Sequence, residues 1–345
     1  MRRTLALCAA AAVLRAAPAA ADPMDLNLER LGAPAASVWS TVASRVCAAS
    51  PGSPACALTA ADAATLASES SIRYRHLVLQ LGLGLTSFTL TEPTTTGMIG
   101  FNVGMEGAVA QVKHADGNWT QPSASISPPV SAWPVRGQQP TWLRLGALHV
   151  QKPMPYGFEL GGRMIYVNQS QMAAMQLELR WVAVERWGSW PDLAVRAAFT
   201  RLFGQRDLEL NVVDVDASVG KRFGVGGTLA LMPYAAIRAS MIGAKTLPIA
   251  FGPTTGTCAS STCYPDVRTP AEAVATTVPF PDVKFFDHLV WRASLGARLQ
   301  SGAFTLGVET TYQPSKSLGA AENGQLAATT LPASFAAAFR LGFDF

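Results

Sequence analysis

The chain closes on Phe335-Ala336-Ala337-Ala338-Phe339-Arg340-Leu341-Gly342-Phe343-Asp344-Phe345. Read in twos from the end, Phe345, Phe343, Leu341, Phe339, Ala337 and Phe335 fall together, and Asp344, Gly342, Arg340, Ala338 and Ala336 fall between them. A β-strand sends alternate side chains to opposite faces. One face of this strand is therefore aromatic and aliphatic, and the other carries Arg340 and Asp344. A soluble sheet could alternate in the same way, but it has no need of an aromatic last residue.

The same period recurs upstream. Phe304, Leu306, Val308 and Tyr312 alternate with Thr305, Gly307, Glu309 and Thr311. Trp291, Leu295 and Leu299 alternate with Arg292, Ser294 and Arg298. Leu231, Ala235 and Ile237 alternate with Tyr234, Arg238 and Ser240. Leu193, Val195 and Phe199 alternate with Arg196 and Thr200. Met175, Leu177, Leu179 and Trp181 alternate with Gln176, Glu178 and Arg180. Phe158, Leu160, Met164 and Tyr166 stand against Glu159 and Arg163. Leu143, Leu145 and Ala147 stand against Arg144. Val103, Met105 and Val109 stand against Asn102 and Glu106. With a weaker strand over Leu208 to Arg222, residues 98–345 read as ten strands. Their connections form two classes, short at Lys152–Tyr156, Trp187–Pro191, Arg222–Gly226 and Ser301–Ala303, and long at His114–Pro140, Gly243–Lys284 and Gln313–Pro332.

The Phe-ended strand resembles the closing strand of bacterial outer-membrane β-barrels. The resemblance implies an all-β, up-and-down transmembrane barrel, here of about ten to twelve strands, with short turns in the periplasm and long loops outside. It also implies outer-membrane lipid, lipopolysaccharide and the barrel assembly machinery as partners, with Phe339, Leu341, Phe343 and Phe345 as the closing-strand signature. Hydrophobic residues make up 49% of the chain and mean hydropathy is +0.20. No stretch of the mature chain is uninterrupted and apolar enough for a helical span. A barrel reconciles the two, because only alternate residues need face lipid.

Residues 1–21 read as a cleaved secretory signal. Arg2 and Arg3 precede the short apolar run Leu5 to Leu14, and Ala19-Ala20-Ala21 supplies a small-residue cleavage site. Formal net charge is +4, and losing Arg2, Arg3 and Arg15 leaves a nearly neutral chain with no electrostatic case for nucleic acid. Cys47, Cys56, Cys258 and Cys263 remain in an exported chain and suggest disulfides. Three connectivities are open, with the local pairs Cys47–Cys56 and Cys258–Cys263 favoured. No cysteine pair has finger spacing and the histidines are scattered, so no metal site and no cofactor is expected.

Residues 22–97 do not follow the pattern. Leu26 to Ala67 favours short helices, with Thr59 and Asp62 marking a helix start. This accessory segment would lie in the periplasm or plug the barrel mouth. His76 to Phe88 reads as one extra strand, with Leu77, Leu79, Leu81, Leu83 and Leu85 alternating; a helix there would contain Gly82 and Gly84, each costing about 1 kcal/mol against Ala. Counting that strand breaks the even number.

If the apolar faces meet lipid, Glu106, Arg144, Glu159, Arg163, Glu178, Arg180, Arg196, Arg238, Arg292, Arg298, Glu309 and Arg340 face the lumen. An eight-strand barrel is just filled by side chains, so a slightly larger one is narrow. These residues either pair and plug the interior or, because arginines predominate, line a path for small anions. No nucleophile elbow, metal spacing or nucleotide fingerprint argues for an enzyme. Asp282, Asp287 and His288 gather near one strand end, as acidic and histidine residues do in ten-strand outer-membrane proteases; a strand-end salt bridge is the simpler reading. The sequence reading is a narrow channel or transporter for small or hydrophobic solutes. Its N-terminal segment is laid out like the hatch of fatty-acid transporter barrels. The alternative is a non-conducting structural or surface-binding barrel acting through its loops.

Overall fold

The computed structural model describes residues 26, 28–49, 51–52, 54–88, 93–95, 100–113, 142–185, 187–251, 270–320, 326 and 328–345. The signal segment 1–21, Cys258, Cys263 and most of the first long loop lie outside the described residues.

Ten strands form the wall: β1 (Asn102–Gln111), β2 (Trp142–Pro153), β3 (Phe158–Val167), β4 (Ala173–Val184), β5 (Asp192–Phe203), β6 (Leu208–Gly220), β7 (Leu229–Thr246), β8 (Leu289–Ser301), β9 (Phe304–Gln313) and β10 (Ser334–Asp344). Each pairs antiparallel with its neighbours in sequence, and β10 pairs with β1, so the sheet closes on itself. The strands run from 10 to 18 residues, long enough for a tilted membrane crossing of about 9–11 residues. Closure leaves the wall no free edge. At the seam Glu106 stands opposite Arg340 and Val103 opposite Phe343. Phe101 and Phe345 exchange backbone hydrogen bonds of 3.0 and 2.9 Å and stack with ring centroids 4.9 Å apart.

The outer face of the wall is apolar. Phe339 and Phe343 are 53% and 51% exposed, while Arg340 between them is 6% exposed. Short turns at Met154–Gly157, Gly188–Trp190, Gly226–Thr228 and Gly302–Ala303 lie at the end that holds Phe101 and Phe345. The long connections lie at the other end. Among the described residues no helix is long and apolar enough to cross a membrane, which leaves crossing to the strands.

The expected strand over His76 to Phe88 is not a strand. It is the last half of α2 (Ala60–Leu85), which follows α1 (Ala36–Ala49). The even strand count is thereby restored. From Tyr74 to Leu79 every side chain of α2 is buried, as is every one from Leu81 to Leu85. A helix enclosed on all sides carries apolar residues at every period, so alternating leucines do not distinguish it from a strand. The two glycines lie where the wall comes closest. A Cβ on Gly82 would sit 3.1 Å from Ile242 Cδ1, and one on Gly84 would sit 2.7 Å from Leu143 Cδ2. Their helix-propensity cost is offset by this close packing.

Candidate functional site: the occupied lumen

α2 starts with a capping box. Asp62 N–H donates to Thr59 Oγ1 at 3.2 Å and Thr59 N–H donates to Asp62 Oδ2 at 3.0 Å. The Thr59 hydroxyl, which donates to Asp62 Oδ2 at 2.7 Å, and then the Thr59 N–H hold the exposed Asp62 carboxyl below its usual range. A disulfide joins Cys47 to Cys56 with Cα atoms 4.8 Å apart, tying the end of α1 to the turn before α2. Trp39 Nε1 donates to Ala33 O at 2.9 Å, and Val38, Trp39, Val42 and Val46 are buried in this small helical cap. The cap sits at the long-loop end: Gln205 Nε2, in the turn between β5 and β6, donates to Leu26 O at 2.9 Å. The described helical cap therefore lies at the long-loop end and not at the short-turn end.

The upper turns of α2 are pinned to that same end. Arg75 Nε donates to His288 Nε2 at 2.6 Å and Arg75 Nη1 to Gly319 O at 2.8 Å. His76 Nε2 pairs with Thr329 Oγ1 at 2.7 Å, and Gln80 Nε2 donates to Lys113 O at 2.6 Å. Tyr74 stacks on Phe280 at 4.5 Å. His288 thus meets an arginine of the plug helix. Burial and the Arg75 cation push its pKa down to about 4, leaving the neutral ring free to accept that bond.

Below these turns the lumen narrows onto ionic side chains. Arg340 Nη1 lies 3.4 Å from Glu106 Oε1, and Arg163 Nε 2.6 Å from Glu106 Oε2. His149 is held between two carboxylates, Nδ1 to Glu106 at 2.9 Å and Nε2 to Glu178 at 2.8 Å. Arg196 joins Glu178 at 2.9 Å to Asp216 at 2.7 Å, and Arg238 Nε lies 3.7 Å from the same Asp216. Arg292 meets Asp214 at 3.1 Å. Tyr234 donates to Glu309 at 2.9 Å. Nearer the short turns Arg180 pairs with Glu159, and Arg298 lies 2.5 Å from Asp344. Each of the ten strands thus contributes an inward ionisable group.

Two sequence readings are corrected. Arg144 is exposed on the outer face, and Leu143 and Leu145 point inward against α2. The excess of arginine also disappears, because Asp214, Asp216 and Asp344 join the inward acids. His149 was missed as well. The signal for β6 was present in the period of Leu208, Leu210 and Val212 against Asp214 and Asp216, which all point inward. Apolar and acidic residues share that face because its upper part packs on α2 and its lower part on arginines.

The lower end of α2 is received by the same arginines. Arg292 Nη1 donates to Leu83 O at 3.0 Å and to Thr86 O at 3.4 Å, and Arg238 also donates to Thr86 O. These cations satisfy the terminal carbonyls and complement the negative end of the helix dipole. Beyond the helix, Arg163 Nη1 donates to Phe88 O at 3.4 Å, Arg180 Nη2 to Thr94 O at 3.0 Å, and Glu185 accepts from Thr95 N–H at 3.3 Å. The described residues 83–88 and 93–95 thus lie among inward arginines, and β1 begins at the short-turn end. The cavity beside α2, lined by Gln80, Lys113, Arg292 and Gln313 among others, measures about 20 Å³, room for about one water. Among the described residues no three His, Cys, Asp or Glu side chains converge to hold a metal.

No family model and no curated protein matches the chain. Solved structures resembling it are outer-membrane β-barrels. The attachment invasion locus protein Ail of Yersinia pestis is 8% identical, with 71% of this chain and 98% of that chain covered and a TM-score of 0.26. The N-terminal barrel domain of Pseudomonas aeruginosa OprF is 10% identical over 71% and 97%, with a TM-score of 0.24. The KdgM porin is 7% identical over 71% and 98%, with a TM-score of 0.24. At these scores the likeness adds nothing to the barrel already described.

Proposed function

We propose that this is an outer-membrane barrel that is closed by its own N-terminal helix and holds a small helical cap at the cell surface. The outer-membrane location is supported by the apolar outer wall and the Phe-ended seam. Short turns then face the periplasm and long loops the exterior, which puts the cap outside. The observation that carries the reading is the position of α2. It fills the upper lumen, is pinned by Arg75 and His76 above, and rests on Arg238 and Arg292 below. Beneath it the inward charges of the described residues stand in ion pairs with one another. The barrel acts as an anchor and stopper, and the cap with its neighbouring loops as the surface that meets the environment.

Two measurements test this. An epitope inserted at Gly52, whose surroundings are open, should bind antibody on intact cells. The purified protein in planar bilayers should show no steady conductance. Discrete, lasting openings would favour a channel for small solutes instead. An epitope reached only after the outer membrane is permeabilised would place the cap in the periplasm and defeat the display reading.

A further inference from the structure

Around the seam the outer wall is hollowed. Strands β8, β9, β10, β1 and β2 border an open depression of about 810 Å³. Gly107, Gly146 and Ala337 leave it free of side-chain bulk, and Leu295 and Phe339 stand exposed around them. A Cβ on Gly146 would meet nothing within 4 Å, and one on Gly107 would strike the Phe339 ring that lies against it. Arg144 stands at the long-loop side of this hollow. It opposes Val109 across the β1–β2 ladder, and Gly146 opposes Gly107. Because β2 leaves the long loop at Trp142, the cation lies nearer the loop end and the glycines nearer the middle of the wall. Trp142 and Tyr166 are exposed on the same face, and Tyr166 opposes Gly146, so Arg144 lies at the height of an interfacial aromatic belt. Among the described residues its guanidinium has no acidic partner. A cation on the lipid face is costly towards the mid-plane and tolerated at the interface. There it meets headgroup phosphates, which a planar guanidinium binds through parallel N–H donors.

We propose that Arg144 and the hollow beside it bind a phosphorylated, multiply acylated lipid of the outer leaflet. Its phosphate sits on Arg144, and one acyl chain runs over Gly146, Gly107 and Ala337 towards the mid-plane. The order of the parts selects this occupant. The cation is outermost and the apolar hollow lies inward of it, which matches the polarity of a lipid in the leaflet on the long-loop side. A second copy of the barrel is the poorer fit, because a two-fold contact sets the same patch against itself and brings two cations together. The proposal rests on the orientation given above, with the long loops outside, and adds to it a site on the wall itself.

The experiment is native mass spectrometry of the full-length protein released from detergent micelles and titrated with bisphosphorylated lipid A, with heat-modifiable migration as the check that each variant has folded. Arg144→Gln should weaken lipid binding by about tenfold, the loss expected of one charge-assisted contact. Dephosphorylated lipid A should bind the parent as weakly as lipid A binds that variant. Gly146→Leu fills the hollow, keeps the cation and should also weaken binding. Arg201→Gln is the control. Arg201 is exposed on β5, 5.9 Å from the Phe203 ring and away from the hollow, and its loss should leave binding within about twofold, well under one such contact. The proposal fails if Arg144→Gln binds like the parent, or if Arg201→Gln loses as much, since contact with the lipid is then unspecific. It fails if Gly146→Leu binds normally, or if inorganic phosphate alone displaces the lipid, since the hollow then plays no part. A dimer that Gly146→Leu abolishes would give the face to a second copy instead. The Gly52 epitope on intact cells reads the orientation separately, so a reversed barrel and an empty hollow give different results.

Discussion

Arg196 shows how much depends on single inward charges. It stands between Glu178 and Asp216, both buried. Arg196→Met would leave two carboxylates short of their shared cation and should cost about 3–5 kcal/mol, read as an earlier urea midpoint by tryptophan fluorescence in micelles. Arg144→Gln, on the outer face, should stay within about 0.5 kcal/mol. The sequence could not separate these two arginines. Period two says which residues share a face but not which face is inside. The rule that apolar means outside reverses where Leu143 and Leu145 meet α2. His288 carries a prediction of a different kind. Its folded pKa is about 4, against an ordinary 6.5, because it is buried and faces Arg75; the Lys284 carbonyl and Asp287 favour the proton less strongly, and Lys316 adds a smaller opposition. The undocked ring binds a proton more readily than the docked one. The contribution to docking is therefore complete above about 6.5 and is lost as pH falls towards 4. Proteolysis of the cap at fixed protease activity should quicken across that window, and His288→Asn should reduce the effect to the share of His76, which burial and Arg75 also push down to about 4.

At the scale of elements, the wall was legible and the plug was not. β10 announced itself through Phe335 to Phe345, and β1 to β9 through the same alternation, because each must show lipid one face and the interior another. The second half of α2 contains no such contrast: it is enclosed by protein, so Leu77 to Leu85 alternate by coincidence and Gly82 and Gly84 look like helix breakers. Their use becomes visible only with Ile242, Val212 and Leu143 beside them. Gly82→Leu should overpack this contact and cost about 1–3 kcal/mol, seen as faster exchange in α2 with the barrel's heat-modifiable migration unchanged. The cap could be anticipated in part, since Thr59 and Asp62 do form the helix start and Cys47 does bridge Cys56. Deleting Phe345 removes two backbone bonds and one ring stack at the seam. The deletion should lower the amount of heat-modifiable barrel in outer-membrane fractions; normal abundance would show that the seam closes without its last rung.

For the whole molecule, the arrangement combines a closed ring, a chain running through it, and a bulky disulfide-bonded cap at one end. The other end of that chain continues into β1, which is itself part of the ring. The result is a mechanical interlock. The order of assembly matters: once Glu106 has met Arg340 across the seam the ring is shut, and a cap that has already folded would have to be threaded through it. If the cap folds before closure, the tether has to lie between the β1 and β10 edges when they join. The same geometry governs loss. Breaking every contact of α2 would let the axle slide but would not release it, because the cap stops one end and a covalent bond the other. Persistence of the cap at the surface is then a property of connectivity, set at the moment of ring closure and independent of the strength of any one bond along the axle.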